Sequence, residues 1–112
     1  AVQTDSAVTS VEKDTKTTPE QYTLEQNYPN PFNPTTKIAF NIPEASNVSL
    51  EIYNLLGEKV NTLIDNRRFS SGRYEFTWNG RDNYGKQLSS GVYLYRIQAG
   101  EFVQIKKMMM LK

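Results

Sequence analysis

The sequence predicts an all-β fold: an immunoglobulin-like sandwich of about seven antiparallel strands, preceded by an extended N-terminal linker. Three observations support this prediction. Short apolar runs alternate with polar positions, glycine, asparagine and proline separate the runs, and no amphipathic segment is long enough for a helix of about ten residues. With 112 residues, the chain has the usual size of one domain.

The first 21 residues are rich in threonine, serine and charge, and their apolar residues show no sustained periodicity. We interpret residues 1–21 as a flexible linker and residues 22–112 as the folded domain. The alternative for the first segment is an added edge strand over Ala7–Val11.

The segment Tyr22–Thr35, here called the proline ribbon, contains three prolines alternating with asparagines. Each proline fixes its own φ and removes an amide donor, so the ribbon should be stiff and non-helical. Tyr28 and Phe32 are expected to pin it against the sandwich. We expect it to lead into the first long strand and to cover one end of the core.

Six runs have strand character, and turn-forming residues separate them. They are Thr36–Ile42, Val48–Tyr53, Lys59–Ile64, Arg73–Trp78, Val92–Gln98 and Phe102–Leu111. A seventh strand is expected near Lys86–Leu88.

Alternation along the runs predicts which side chains share a face. Nine core residues follow from the first, second and fourth runs: Ile38, Phe40, Ile42, Val48, Leu50, Ile52, Tyr74, Phe76 and Trp78. In the fifth run we place Tyr93, Tyr95 and Ile97 inside, because the opposite face contains Arg96, which is costly to bury unpaired. The apolar side of the last run comprises Val103, Ile105, Met109 and Leu111, interrupted only by Lys107.

The turn before the fifth run contains Asp82 and several glycines. We expect Asp82 to accept hydrogen bonds from amides of its own turn, and Gly80, Gly85 and Gly91 to occupy positions that need positive φ. Asp82 with Asn83, or Asp65 with Asn66, lacks the dense spacing of a calcium loop. We therefore predict no metal and no cofactor.

Composition argues against several functions. The formal net charge is +1 with no basic block, which disfavours nucleic acid as a partner. Cysteine and histidine are absent, and the remaining carboxylate pair, Glu51 and Glu75, is expected on outward faces without the desolvation that poises a catalytic acid. No run approaches the ~20 apolar residues of a membrane span. We predict a non-enzymatic domain.

Four strings occur in a telling order: residues 27–35, NYPNPFNPT; 48–60, VSLEIYNLLGEKV; 91–97, GVYLYRI; and 106–112, KKMMMLK. Together they resemble the type A C-terminal sorting domain of substrates of the type IX (Por) secretion system. The part from Trp78 to Lys86, followed by Gly91-Val92-Tyr93, also resembles the immunoglobulin-like domain of flagellar hook-capping proteins.

The resemblance to sorting domains implies a C-terminal secretion signal that directs an attached cargo across the outer membrane of a Gram-negative bacterium. Its partners would be the outer-membrane translocon and a sortase-like peptidase, with the cargo and any signal peptide lying before Ala1. The protein would then be secreted or held at the cell surface, by way of the periplasm.

By the same resemblance, the translocon reads the terminal strand, and this role is carried onto Lys106, Lys107, Met109, Leu111 and Lys112. Structural positions of the motif are Pro29, Asn30, Pro31, Phe32, Gly57, Asp82, Gly85, Gly91, Tyr93 and Gly100. The run Met108–Met110 departs from the β-branched residues or leucine expected there.

Other interpretations remain open. The last strand is also consistent with an ordinary edge or core strand whose lysines prevent aggregation. Two alternative functions are a structural immunoglobulin-like module that assembles an extracellular appendage, and a carbohydrate-binding module in which Tyr84 is the best exposed aromatic candidate.

Overall fold

The computed structural model describes residues 18–112, which form strands and no helix. The predicted linker therefore lies almost wholly outside the described residues, as does the alternative strand Ala7–Val11. Seven strands are present in the described part: β1 Thr23–Leu24, β2 Thr36–Ile42, β3 Ser46–Tyr53, β4 Lys59–Phe69, β5 Gly72–Trp78, β6 Gly91–Ala99 and β7 Phe102–Met110.

The strands form two antiparallel sheets, in the order β1-β2-β5 and β4-β3-β6-β7. The predicted all-β sandwich is confirmed. Neighbours in each sheet include strands distant in sequence, such as β3 with β6, so the two sheets enclose one core.

Side-chain alternation explains why the two sheets face each other. Of the nine predicted core residues, the six on β2 and β3 are fully buried, Trp78 is 1% exposed, and Tyr74 and Phe76 are half-buried against the same cluster. The inward choice of Tyr93, Tyr95 and Ile97 is also confirmed.

Two strand predictions were wrong. Residues 86–88 contribute only an isolated bridge between Arg81 and Gln87, and the seventh strand is instead β1, inside the proline ribbon. The third run continues past Ile64 to Phe69. The register shifts between Val48 and Leu50, so that the polar residues after Ile64 form a bulge within the strand and not the expected turn.

In the last run, the side that the sequence pattern indicated as apolar faces the solvent. Met108 and Met110 are buried, whereas Val103, Ile105, Met109 and Leu111 are 41–55% exposed. The two-residue turn Gly100–Glu101 sets a register in which Tyr93 lies opposite Met108, and directly opposed residues share a face. The inward position of Tyr93 therefore requires Met108 to point inward.

The proline ribbon is held by one of its two predicted pins. Phe32 is 1% exposed, as predicted, but Tyr28 is 80% exposed. The backbone of Tyr28 pairs with that of Lys37 through two hydrogen bonds of 3.0 and 2.9 Å. Because Lys37 lies on the outer face of β2, its partner Tyr28 must also point outward.

The sandwich has two distinct ends. At the ribbon end, β2 and β6 begin and β5 and β7 end, and this end carries residues 28–35, 54–58, 79–90 and 111–112. The opposite end carries the short turns at residues 43–45, 70–71 and 100–101.

Candidate functional site

The candidate site is the terminal strand β7, which lies at the edge of the four-stranded sheet and has β6 as its single neighbouring strand among the described residues. Ala99 and Phe102 face each other across the turn, so the backbone groups of the even-numbered residues of β7 point toward β6. Those of the odd-numbered residues, from Val103 to Leu111, point away from the sheet.

Three predicted recognition residues form what we call the terminal row: Lys107, Met109 and Leu111. All three are exposed, Met109 by 41% and Leu111 by 49%. Lys112 follows them at the surface, with its amide donating to Ser90 Oγ at 2.9 Å. Lys106 differs, because it lies half-buried on the inward side, opposite Tyr95.

The proline ribbon binds the outer edge of β7 at its end. The Phe32 amide donates to the Met109 carbonyl, and the Leu111 amide donates to the Phe32 carbonyl, each at 2.9 Å. Asn30 Oδ1 accepts from the Met109 amide at 3.0 Å. The end of β7 is therefore hydrogen-bonded on both sides.

In the part of the chain that the structure describes, the first half of β7 is open on its outer side. Within residues 18–112, the outward backbone groups of Val103 and Ile105 have no hydrogen-bond partner. The next outward carbonyl, that of Lys107, accepts from Gln26 Nε2 at 2.8 Å. Unpaired strand edges are where a partner can add a strand of its own.

The ribbon is itself held by a buried polar network that the sequence did not reveal. Asn27 is 2% exposed, and its amide donates to the Tyr95 hydroxyl at 2.8 Å, while that hydroxyl donates to the Glu25 carbonyl at 2.8 Å. Asn27 Nδ2 also donates to the Pro29 carbonyl and to Thr36 Oγ1. Burial raises the pKa of Tyr95 to about 12.

The aromatic anchor of the ribbon lies between the two sheets. The ring of Phe32 is 5.7 Å from that of Trp78, which is 5.5 Å from that of Tyr93. The buried end of Met110 reaches Gln87 and Gly80. A flexible thioether fills such an irregular space better than a branched side chain, which accounts for methionine at these inward positions.

Turn residues of the predicted motif behave as expected. Asp82 Oδ1 accepts from the amides of Tyr84 and Lys86, both at 2.9 Å. Gly80 and Gly85 have φ of 74° and 83°, the region that favours glycine. The turn at Gly57, with φ of 84°, joins β3 to β4.

The carboxylates considered for catalysis lie on different sheets, Glu51 on β3 and Glu75 on β5. Tyr53 donates to Glu51 at 2.7 Å, and this hydrogen bond, together with Lys59 and Arg96, lowers the pKa of Glu51. Such a carboxylate is held ionised near neutral pH and is not poised to donate a proton.

Residues 18–112 contain no cluster of three or more potential metal-ligating acidic side chains. A shallow pocket of about 220 Å³ lies beside the terminal row and is lined by Asn30, Val92, Lys107, Met108 and Met109. In this part of the chain, no helix long and apolar enough to cross a membrane was found.

A family model described as the FlgD Ig-like domain matches residues 26–101. The chain belongs to the FlgD Ig-like domain family. The match covers most of the described domain and ends just before β7, so the terminal strand lies outside the matched residues.

Solved structures extend this relationship. FlgD from P. aeruginosa shares 28% identity and a TM-score of 0.52 over 67% of this chain and 58% of its own. Dimeric latent PorU from Porphyromonas gingivalis gives 22% identity and a TM-score of 0.62, over 81% of this chain and 9% of PorU. No curated protein matches the chain.

PorZ, an essential surface component of the type IX secretion system of Porphyromonas gingivalis, gives 19% identity and a TM-score of 0.54. The match covers 83% of this FlgD Ig-like chain and 12% of PorZ. This chain thus spans about a tenth of PorU and of PorZ. The family match confirms the predicted relationship to the immunoglobulin-like domain of flagellar hook-capping proteins. The similarity to PorU and PorZ confirms the predicted type IX relationship at the level of a shared fold.

Proposed function

We propose that this FlgD Ig-like domain is a non-enzymatic C-terminal secretion signal that directs an attached cargo across the outer membrane through the type IX system. The observation that carries the proposal is the terminal row. Lys107, Met109 and Leu111 project from a strand end that is hydrogen-bonded on both sides. A recognition element fixed in this way loses little conformational entropy when it is bound.

The chemistry of the row defines its receptor. A lysine is followed by two exposed apolar side chains on the same side of the strand, and Lys112 adds a second cation. A complementary receptor surface has an apolar groove bordered by acidic groups. We propose that this surface belongs to the outer-membrane translocon, and that a sortase-like peptidase then separates the cargo from the domain, leaving the cargo secreted or at the cell surface.

The open half of β7 supports a further contact with the same receptor. Among the described residues, Val103 and Ile105 offer two residues of unpaired backbone next to the row. An extended segment of the receptor can pair with them, so that backbone bonds contribute affinity and the row contributes specificity.

The proposal is tested by fusing a periplasmic reporter to the N-terminus of the whole chain, in a type IX-competent Gram-negative strain. We expect the reporter in the medium or at the cell surface. In an isogenic strain without the translocon, we expect it in the periplasm. A reporter that stays periplasmic in both strains, or leaves the cell in both, contradicts the proposal.

The second candidate is an assembly module of an extracellular appendage. It is favoured by the family match and by the 28% identity to FlgD. This function predicts self-association or binding to a filament subunit through the open edge of β7. It is distinguished by adding a bulky tag after Lys112, which should abolish export by a terminal signal and leave an assembly contact intact.

A further inference from the structure

The exposed large apolar side chains are distributed unevenly over the molecule. Single exposed apolar residues are common on protein surfaces, but clusters of them mark contact sites. Five of them lie on the segments of the ribbon end: Tyr28 at 80%, Leu55 at 65%, Leu56 at 84%, Tyr84 at 94% and Leu111 at 49%. The turns of the opposite end, within the described residues, expose none.

Hydrogen bonds and strand register bring these residues to the same end. Tyr53 pairs with Leu94, so the hairpin tip that follows Tyr53 reaches the level of Gly91 and Val92, where β7 also ends. The loop carrying Tyr84 is fixed beside this hairpin, since the Asn83 amide donates to the Val60 carbonyl at 3.0 Å.

The hairpin tip is rigid, although it exposes two consecutive leucines. Asn54 Oδ1 accepts from the amides of Leu56 and Glu58 at 2.9 and 3.0 Å, and the Gly57 amide donates to the Asn54 carbonyl. A second pairing joins the Asn54 amide to the Glu58 carbonyl at 3.0 Å. The fold therefore holds Leu55 and Leu56 outward in a defined turn.

Positive charge is concentrated at the same end. Five exposed lysines lie on its loops or near the strand ends that form it: Lys37, Lys59, Lys86, Lys107 and Lys112. The carboxylates counted in the same way are Glu58, Asp82 and Glu51, and Glu51 pairs with Lys59 at 3.2 Å. Among the described residues near the opposite end, the turns carry Glu44 and Glu101, and the cations are no lysine but three arginines: Arg67, Arg68 and Arg73.

We propose that the ribbon end docks on an anionic lipid bilayer, with Leu55 and Leu56 inserted among the acyl chains. The exposed tyrosines would lie at headgroup depth, and the surrounding lysines would contact lipid phosphates. Leucine, tyrosine and lysine in this arrangement suit the membrane interface, where apolar burial and attraction to anionic headgroups add together.

This inference shares Lys107, Leu111 and Lys112 with the proposed secretion role, and its test leaves these three residues unchanged so that the two proposals can fail separately. The whole chain is mixed with vesicles of phosphatidylcholine alone or with phosphatidylglycerol added, and co-sedimentation is measured. We expect binding to the anionic vesicles, weaker binding to the neutral ones, and a decrease with rising salt.

Two exposed sites separate insertion from charge attraction. Leu55→Ser with Leu56→Ser should weaken binding at least about tenfold, because two apolar side chains are lost from the bilayer. Lys37→Gln with Lys86→Gln should weaken it by about fivefold per lysine at low salt. The matched controls near the opposite end, Val103→Ser and Arg68→Gln, should bind as the unchanged chain does.

Three results would overturn the proposal: no binding to anionic vesicles, equal binding to neutral ones, or unchanged binding by the double leucine variant. Circular dichroism verifies that each variant is folded. In cells, a photo-cross-linker at Leu56 should label lipid, whereas a cross-link to another protein or to a second copy of this chain would assign the ribbon end to that partner instead.

Discussion

The two halves of β7 share one strand and one neighbour but differ on their outer side. Near its start, Val103 and Ile105 present backbone groups that nothing in residues 18–112 satisfies. At its end, Met109 and Leu111 are hydrogen-bonded to the proline ribbon. The difference shows that one edge strand can present side chains from a hydrogen-bonded segment at its end and unpaired backbone groups from its beginning.

The proline ribbon produces this difference, so substitutions of the residues that hold the ribbon in place should reduce it. The largest effect is expected from Phe32→Ala, which empties the space beside Trp78. The free energy of unfolding should fall by about 3–5 kcal/mol in urea denaturation. Tyr28→Ala, at a side chain that is 80% exposed, should change it by less than about 0.5 kcal/mol. Equal effects would mean that the ribbon is not anchored through Phe32.

Removing one hydroxyl should loosen the ribbon without opening a cavity. Tyr95→Phe leaves the Asn27 amide and the Glu25 carbonyl without their partner. A loss of about 2–3 kcal/mol is expected from calorimetry or urea unfolding. Tyr93→Phe is the matched control, because its hydroxyl donates to the single carbonyl of Ser89, and about 1 kcal/mol is expected.

The same hydroxyl predicts a pH dependence. The pKa of Tyr95 is raised by burial from 10.0 to about 12, so the unfolded chain loses this proton more readily than the folded one. The stability that the neutral phenol contributes is complete below pH 10.0 and is lost as the pH rises toward about 12. Urea midpoints measured across this window should fall more steeply for the unchanged domain than for Tyr95→Phe. Parallel slopes would contradict the burial of this hydroxyl.

The smallest effect concerns the contact between ribbon and strand. Asn30→Ala removes the partner of the Met109 amide at a solvent-exposed position, and a loss of about 0.5–1 kcal/mol is expected. Amide hydrogen exchange followed by NMR should find Met109 and Leu111 protected and Val103 and Ile105 fast in the unchanged domain. In Asn30→Ala, the Met109 amide should exchange faster while that of Leu111 changes little. Similar exchange rates at all four amides would contradict the difference between the two halves of β7.

Much of the fold could be predicted from the sequence, because alternation is unambiguous where only one face is apolar. The runs around Ile38 and Leu50 are of this kind, and each faces inward as expected. In the run around Tyr95 both faces carry apolar residues, and the cost of burying Arg96 gave the correct choice. In β7 both faces are apolar, so alternation cannot decide between them. The register with β6 decides, and register depends on a partner strand that local pattern does not identify.

The candidate site was predictable only in part. Exposure of Met109 and Leu111 follows from the register of β7, which the sequence pattern did not reveal. The bonds from Asn30 and Phe32 to β7 join residues almost eighty positions apart, and the network of Asn27 with Tyr95 spans a similar separation. Asparagine between prolines resembles a turn residue locally, and only the assembled sandwich gives it a buried partner.

The structure also changes how the terminal segment must be tested. Deleting Lys106–Lys112 would remove the buried Met108 and Met110, and the domain would lose core packing together with any signal. Substitutions confined to outward side chains avoid this ambiguity.

The most direct test of the central claim is therefore export of the reporter fused to a variant with Lys107→Gln, Met109→Ser and Leu111→Ser. If the terminal row is the signal, this folded variant should keep the reporter in the periplasm, while Arg68→Gln, at an exposed position on the opposite edge strand of the same sheet, should export it normally. Undiminished export of the triple variant, with its fold verified by circular dichroism, would contradict the account.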